Sequence, residues 1–255
     1  MSAVLLPPLL TPGNAVDDAL RQSGHAVIDP ANLHQQLGAP LHALDAWWPC
    51  WDRLVADAHL RDGGRYRRRR HGGFIVDGTN VVAAPHRAHW QPLEYNALHG
   101  GIERWFEPLE PAMVAEPLWP VLLRWLAARA SALRGTQPWY LEAHPFRIDT
   151  AGGIGRPTPE GAHRDGVDLV AVLLVQRVGV KGGETRVFEA DGPAGLRFTL
   201  SQPWTTLLLD DARVIHESTP IQPLIPAQPG HRDTLVITLR AGGFQGPSAR
   251  LPLRS

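Results

Sequence analysis

The chain has 255 residues, with 25 Lys+Arg balancing 25 Asp+Glu and a pI near 7.2, so no global charge draws it to nucleic acid or an acidic membrane surface. Its 44% hydrophobic and 20% charged residues exclude a disordered chain and supply a substantial core, with one domain over 1–255 expected. Cys50 is the single cysteine, which excludes an intramolecular disulfide and any metal or iron–sulfur site built on several thiolates.

The opening "MSAVLLPPLL" is apolar, but it carries no basic stretch and Pro7 and Pro8 interrupt it. The expectation is no secretory signal, no membrane span and a cytoplasmic location. From Ala31 to Leu60, Leu33, Leu37, Leu41, Leu44, Trp48 and Trp51 recur at helical spacing, with Pro40 and Pro49 splitting the run. "RDGGRYRRRRHGGFIVDG" follows, basic and flanked by glycine. With no net charge and only Tyr66 inside the run, it reads as a surface strand or loop whose arginines are solvated or paired with carboxylates elsewhere, rather than a phosphate or nucleic-acid contact. "EPLWPVLLRWLAARASALR", 116–134, is an amphipathic helix stopped by Gly135. The tryptophans fall mostly in such segments and read as core.

Beyond Gly135 the pattern changes to short β-branched or aromatic runs separated by glycine, proline and aspartate: "WYLEAHPFRID", "DLVAVLLVQRV", "ETRVFEA", "LRFTL", "WTTLLLD", "ARVIH" and "DTLVITLR". Such spacing predicts a barrel or sandwich, so the plan is helices first and a β core after.

The triplet His-Arg-Asp occurs twice, at His163-Arg164-Asp165 and at His231-Arg232-Asp233. On a strand, His163 and Asp165 share one face. With His216, which closes "ARVIH", they make two imidazoles and one carboxylate. That set leaves three corners of an octahedron open, an arrangement associated with non-haem Fe(II) oxygenases. No histidine follows His231, so the second triplet offers Arg232 and Thr234 instead, a guanidinium and a hydroxyl on one face that suit a carboxylate.

The ordered set His163-x-Asp165, His216 and Arg232-x-Thr234 resembles the Fe(II)/2-oxoglutarate-dependent dioxygenases. "PTPEGAHRDGVDLV", "GGET" at 182–185 and "NALHGGIERWFEPL" at 96–109 resemble the bacterial isoleucine 4-hydroxylase and BsmA-like branch, over roughly Tyr66 to Leu239. The chain departs from the family pattern in two places. Thr234 replaces the commoner serine, and a proline-rich stretch, expected as a loop, lengthens the interval from His216 to Arg232. The resemblance implies an α+β, mainly β fold: a double-stranded β-helix (jelly-roll, cupin-like) over 135–245, strands and a helix flanking it over 66–134, and an N-terminal helical segment over 1–65. It also implies that His163, Asp165 and His216 hold Fe(II) and carry the catalysis through it. Arg232 and Thr234 then bind the far carboxylate of 2-oxoglutarate, and O2 is consumed with release of succinate and CO2.

By the same resemblance the substrate is small, a free L-amino acid; the balanced charge and interrupted apolar opening lead to the expectation of no nucleic-acid or membrane partner. Arg147 on "EAHPFRID", if inward and buried, needs a carboxylate, which a substrate or a structural Asp or Glu supplies. Glu160 is the candidate for a substrate ammonium; Thr158 and Thr185 are further candidates on the site's border. Two alternatives stand beside this: a cupin-like metal enzyme that does not use 2-oxoglutarate, with Arg232 structural, and a non-catalytic metabolite-binding or stress-response protein of the same fold. A protein-kinase catalytic loop is excluded, since its pattern needs Asn where this chain has Val170.

Overall fold

The computed structural model describes residues 5–96, 98 and 100–247. In chain order it contains α1 (Val16–Ser23), β1 (His25–Ile28), α2 (Pro30–Gln36), α3 (Pro49–Asp52), β2 (Val55–Ala56), β3 (Arg67–Arg69), β4 (Gly72–Asp77), β5 (Asn80–Ala83), α4 (Pro111–Val114) and α5 (Leu118–Arg134). After these come β6 (Trp139–Asp149), β7 (Leu169–Val178), β8 (Val180–Gly182), β9 (Thr185–Glu189), β10 (Gly195–Phe198), β11 (Thr206–Asp210), β12 (Val214–Ser218), β13 (Ile221–Pro223) and β14 (His231–Ala241). Local chemistry sets the helix ends. The Asp29 carboxylate accepts from the Asn32 backbone N–H at 2.9 Å and Pro30 opens α2, while α5 stops at Gly135 with φ of 85°.

All the strand pairings are antiparallel. The large sheet runs β1-β11-β7-β14-β6-β3-β2, with β4 also on β6 and β5 on β4; β10-β9-β12 and β13-β8 form smaller sheets. The segment expected to be helical up to residue 65 therefore also contributes two strands, β1 against β11 and β2 against β3. The proline-rich interval expected as a loop holds β13, paired with β8.

Strand alternation gives the large sheet two different faces. Trp139, Leu141 and Ala143 of β6, Leu169, Ala171, Leu173 and Val175 of β7, and Leu235, Ile237 and Leu239 of β14 join Trp119, Leu122, Leu123, Leu126 and Ala130 of α5 in one apolar core. The intervening residues face a cavity: Glu142, His144, Phe146 and Ile148 of β6, Arg232, Thr234, Val236 and Thr238 of β14, Val172 of β7, and Arg67 and Arg69 of β3. Register aligns them in rows, with Arg67 and Arg232 flanking Ile148, and Arg69 and Thr234 flanking Phe146. The cavity's other wall includes His216 and Ser218 of β12. Antiparallel sheets enclosing a cavity, with helices on the outer face of one, are the double-stranded β-helix with packed helices that the resemblance implied. Among the described residues, no helix is long and apolar enough to cross a membrane.

Candidate metal centre and its cavity

His163 lies outside the regular strands. It forms an isolated bridge to His216 of β12, in which the two backbones exchange N–H···O bonds of 3.1 and 3.0 Å. The expectation that His163 and Asp165 share a strand face is thus corrected: the residues after His163 form a turn. That turn is held by Asp211, fully buried, whose carboxylate accepts from the backbone N–H groups of Asp165 (3.0 Å), Gly166 (2.8 Å) and Val167 (3.1 Å). Gly166 has a φ of 74°, and a Cβ there would lie 2.4 Å from the Tyr95 ring, so only glycine fits.

The turn brings three side chains together. His163 Nε2 is 3.7 Å from Asp165 Oδ1, and His216 Nε2 is 3.8 Å from Asp165 Oδ2. A donor atom from each residue lies within 4.8 Å of the others. These contacts are too long for hydrogen bonds; instead the carboxylate and two imidazole nitrogens converge on one point. His163 Nδ1 donates to the Gly161 carbonyl at 2.9 Å, which leaves Nε2, once its proton is displaced, as the nitrogen free to bind an ion. Two neutral imidazoles and one carboxylate suit a divalent first-row ion. Gln91 donates to Asp165 Oδ1 at 3.0 Å. Its amide oxygen accepts from Asn96 (3.0 Å) and Arg104 (2.8 Å), so its NH2 must face the carboxylate.

Charge at the centre is finely divided. Burial opposes ionisation of Asp165, but His163 and His216 hold its carboxyl well below the usual range. Burial likewise opposes charge on His163, yet Asp165 and Glu160 raise it to about 10, whereas burial and the His163 charge lower His216 to about 4. Burial and the Asp165 charge push Asp211 up to about 7 against its three N–H donors. Removing Asp211 therefore tests positioning without touching a ligand. Asp211→Ala is expected to weaken divalent-ion binding by about 10–100-fold, read as the affinity for Mn(II) in a direct titration; an unchanged affinity would show that the turn holds itself.

The triad lines a cavity of about 940 Å³, part of it open to solvent. Arg232 reaches into it, 3% exposed and with no ion pair to a carboxylate among the described residues; its Nε and one Nη lack hydrogen-bond partners. Burial and the neighbouring Arg177 lower its pKa to about 10. Thr234 is beside it on the same face, as its spacing predicted. The "GGET" segment passes close by: a Cβ on Gly183 would lie 3.0 Å from Arg177 Nη1 and 3.5 Å from Arg232 Cδ.

The remaining sequence candidates divide. Glu160 lines the cavity, with Oε1 3.6 Å from His163 Nε2 and Oε2 buried without a partner. Thr158 also lines it, but its hydroxyl is spent bridging the Ser218 backbone, donating to O and accepting from N, both at 3.0 Å. Thr185 is buried but does not line the cavity. Arg147 is corrected outright. It sits on the opposite face of β6, where Asp233 accepts from its Nε and one Nη at 2.9 and 2.7 Å, and Asp52 pairs with it at 3.0 Å.

Two arginines of the basic run, read in the sequence as solvated or carboxylate-paired, line the cavity instead. Arg67 and Arg69 are 5% and 3% exposed and line the cavity, while Arg68 between them is exposed. Two-residue alternation within "RYRRRR" is the signal that locates them. Arg104 and Gln91 come from the long connection between β5 and α4, which includes the described part of "NALHGGIERWFEPL"; Ala97 and His99 lie outside the described residues. His71, His89 and His144 also have donor atoms within 4.8 Å. However, Arg69 donates to His144 Nδ1 at 2.7 Å, and His71 Nε2 pairs with Glu142 Oε1 at 3.0 Å. With Arg87 also on Glu142 at 2.9 Å, this cluster is a hydrogen-bonded network in a cationic setting rather than a cation site.

A family model described as "2OG-Fe dioxygenase" matches residues 48–238. The fold is similar to the crystal structure of a BsmA homologue from Methylobium petroleophilum PM1, at 56% identity, covering 95% of this chain and 98% of that one with a TM-score of 0.89. It is also similar to IDO from Bacillus thuringiensis, at 16% identity, 96% and 100% coverage and a TM-score of 0.68. The Fe(II)/α-ketoglutarate-dependent dioxygenase TqaL is similar at 18% identity, 89% and 86% coverage and a TM-score of 0.69. No curated protein sequence matches the chain.

Proposed function

The chain belongs to the 2OG-Fe dioxygenase family, whose cofactor and co-substrates are Fe(II), 2-oxoglutarate and O2, and from that premise we propose that it hydroxylates a free L-amino acid. The residues fit the metal: three convergent donors with one imidazole oriented by a backbone carbonyl, and open space on the cavity side. His163, Asp165 and His216 are the proposed ligands. Bound iron supplies the oxidising power that inserts one oxygen of O2 into a C–H bond while 2-oxoglutarate becomes succinate and CO2.

The chain's own contribution is placement. Arg232 and Thr234 grip the far carboxylate of 2-oxoglutarate, the guanidinium through paired charge-assisted hydrogen bonds. Val172, Val236, Ile148 and Phe146 keep that part of the cavity apolar, which strengthens the ion pair and excludes water. Gln91 and Asp211 hold the Asp165 segment from its side chain and its backbone respectively.

The observation that carries this reading is Arg232: a buried guanidinium without a carboxylate partner among the described residues, aimed into the same cavity as three convergent ligands. An enzyme independent of 2-oxoglutarate would leave that cation buried for no purpose. The amino-acid assignment rests on the motif resemblance. The test is incubation of Fe(II)-loaded protein with 2-oxoglutarate, O2 and each free L-amino acid, reading succinate and a product heavier by one oxygen atom. Matched formation of both with one amino acid is the expected result. Succinate at the substrate-free level with every amino acid would overturn the substrate assignment.

A further inference from the structure

Across β6 from Arg232, the cavity carries a second group of cations that the far carboxylate of 2-oxoglutarate does not account for. Arg69 and Arg104 are 3% and 2% exposed, both line the cavity, and neither forms an ion pair with a carboxylate among the described residues. The Arg69 guanidinium lies 3.9 Å from the Phe106 ring centroid and 4.4 Å from that of Phe146. It spends one nitrogen on His144, and its Nε has no partner. Arg104 spends one nitrogen on Gln91, and its Nε is also unpartnered. Arg67, paired with Asp57 at 2.7 Å, still has an unpartnered Nη2. Nearby carboxylates offset them only in part: Asp57 is paired with Arg67, Glu142 with His71 and Arg87, and Glu160 acts on Arg104 from within the chamber without forming an ion pair with it among the described residues.

Buried cations held side by side, with unpartnered N–H groups and no carboxylate in direct contact with Arg69 or Arg104, favour an anion supplied from outside. The planar fork of arginine selects a carboxylate or phosphate. The anion must share its chamber with Glu160, whose Oε2 is buried and unpartnered. A carboxylate there repels a phosphate dianion and attracts an ammonium. We infer that Arg69 and Arg104, supported by Arg67, bind the α-carboxylate of a zwitterionic substrate whose ammonium faces Glu160. This rests on the proposed reading of the cavity as an oxygenase substrate chamber, and it gives to Arg69 and Arg104 the role the sequence suggested for Arg147. The zwitterion is anchored at both charged ends, with its ammonium end at Glu160, whose Oε1 is 3.6 Å from His163 Nε2, and its side chain left unanchored in the chamber.

The test is calorimetric titration of the Fe(II)- and 2-oxoglutarate-loaded protein, kept free of O2. The probes are L-isoleucine, L-leucine and L-methionine, their carboxamides, and 4-methylpentanoate, which is leucine without its amino group. At least one amino acid binds, and both its carboxamide and the des-amino acid bind at least about 30-fold more weakly. In Arg69→Gln the acid falls to the affinity of the amide, while the amide changes by less than about threefold; a purely structural arginine would weaken both alike. Arg69→Lys, with charge but no fork, lies between. The wild-type comparison of acid and amide needs no variant and decides the matter if Arg69→Gln does not fold. Equal binding of acid and amide, or tighter binding of inorganic phosphate than of every amino acid, overturns the inference. So does the absence of binding by all three amino acids in protein that binds 2-oxoglutarate, which leaves the oxygenase reading standing. Failure to bind 2-oxoglutarate itself would instead strike that reading.

Discussion

Asp165→Ala protein is expected to fold, to bind no Fe(II) at concentrations that saturate the parent, and to release no succinate. Asp165 is the only carboxylate of the triad, and both its oxygens face imidazole nitrogens, at 3.7 and 3.8 Å. Its removal takes away one donor and the only negative charge among the three ligands. Loss of a residue that merely supports a ligand costs about 10–100-fold in metal affinity, and loss of the ligand itself must cost more. Thermal unfolding provides a readout independent of turnover. At a metal concentration 100 times Kd, the parent gains about 2.7 kcal/mol from binding, and the variant gains nothing. Without metal the variant should be somewhat less stable than the parent at neutral pH, because Asp165 pairs with the charged His163 and accepts from Gln91, so the readout is the metal-dependent shift within each protein. A variant that keeps the metal-dependent shift would show that the ion is held elsewhere, and the three-residue centre would have to be abandoned.

Arg232→Ala is expected to raise the KM for 2-oxoglutarate at least about 30-fold, the effect of truncating one member of a buried charged pair. At saturating 2-oxoglutarate, kcat should fall much less, because the guanidinium binds a carboxylate distant from the reacting carbon. Arg232→Lys should lie between, since it keeps the charge and loses the paired geometry. Stability separates this role from a structural one. Arg147 on the sheet's other face holds Asp233 and Asp52, so its removal would orphan a buried carboxylate and destabilise the fold by about 3–5 kcal/mol. Arg232 has no such partner, so its removal should leave the urea midpoint unchanged or higher. A large loss of stability with an unchanged KM would make Arg232 structural and leave 2-oxoglutarate without its anchor.

The sequence by itself determined the long helix, most of the β core and the candidate ligand types. Chemistry local to the chain decides these: Gly135 ends α5, the run "WYLEAHPFRID" is β6 from its first residue to its last, and Arg232 and Thr234 share a face because a strand repeats every two residues. Distance along the chain did not hide the proposed metal centre, since His163, Asp165 and His216 are the residue types an Fe(II) site needs in a recognised order. The tertiary structure decided which side of each strand meets the cavity. Arg147 and Arg69 are both arginines on β-strands beside one another in the large sheet. One faces Asp233 and the other the metal chamber, a choice made by register against β14 and by the helical core claiming the odd-numbered residues of β6. The tertiary structure also decided that Asp211, 46 residues beyond Asp165, folds back to hold the ligand turn. Such a contact leaves no periodic trace in sequence, because a carboxylate accepting backbone N–H groups constrains position in space and not spacing along the chain.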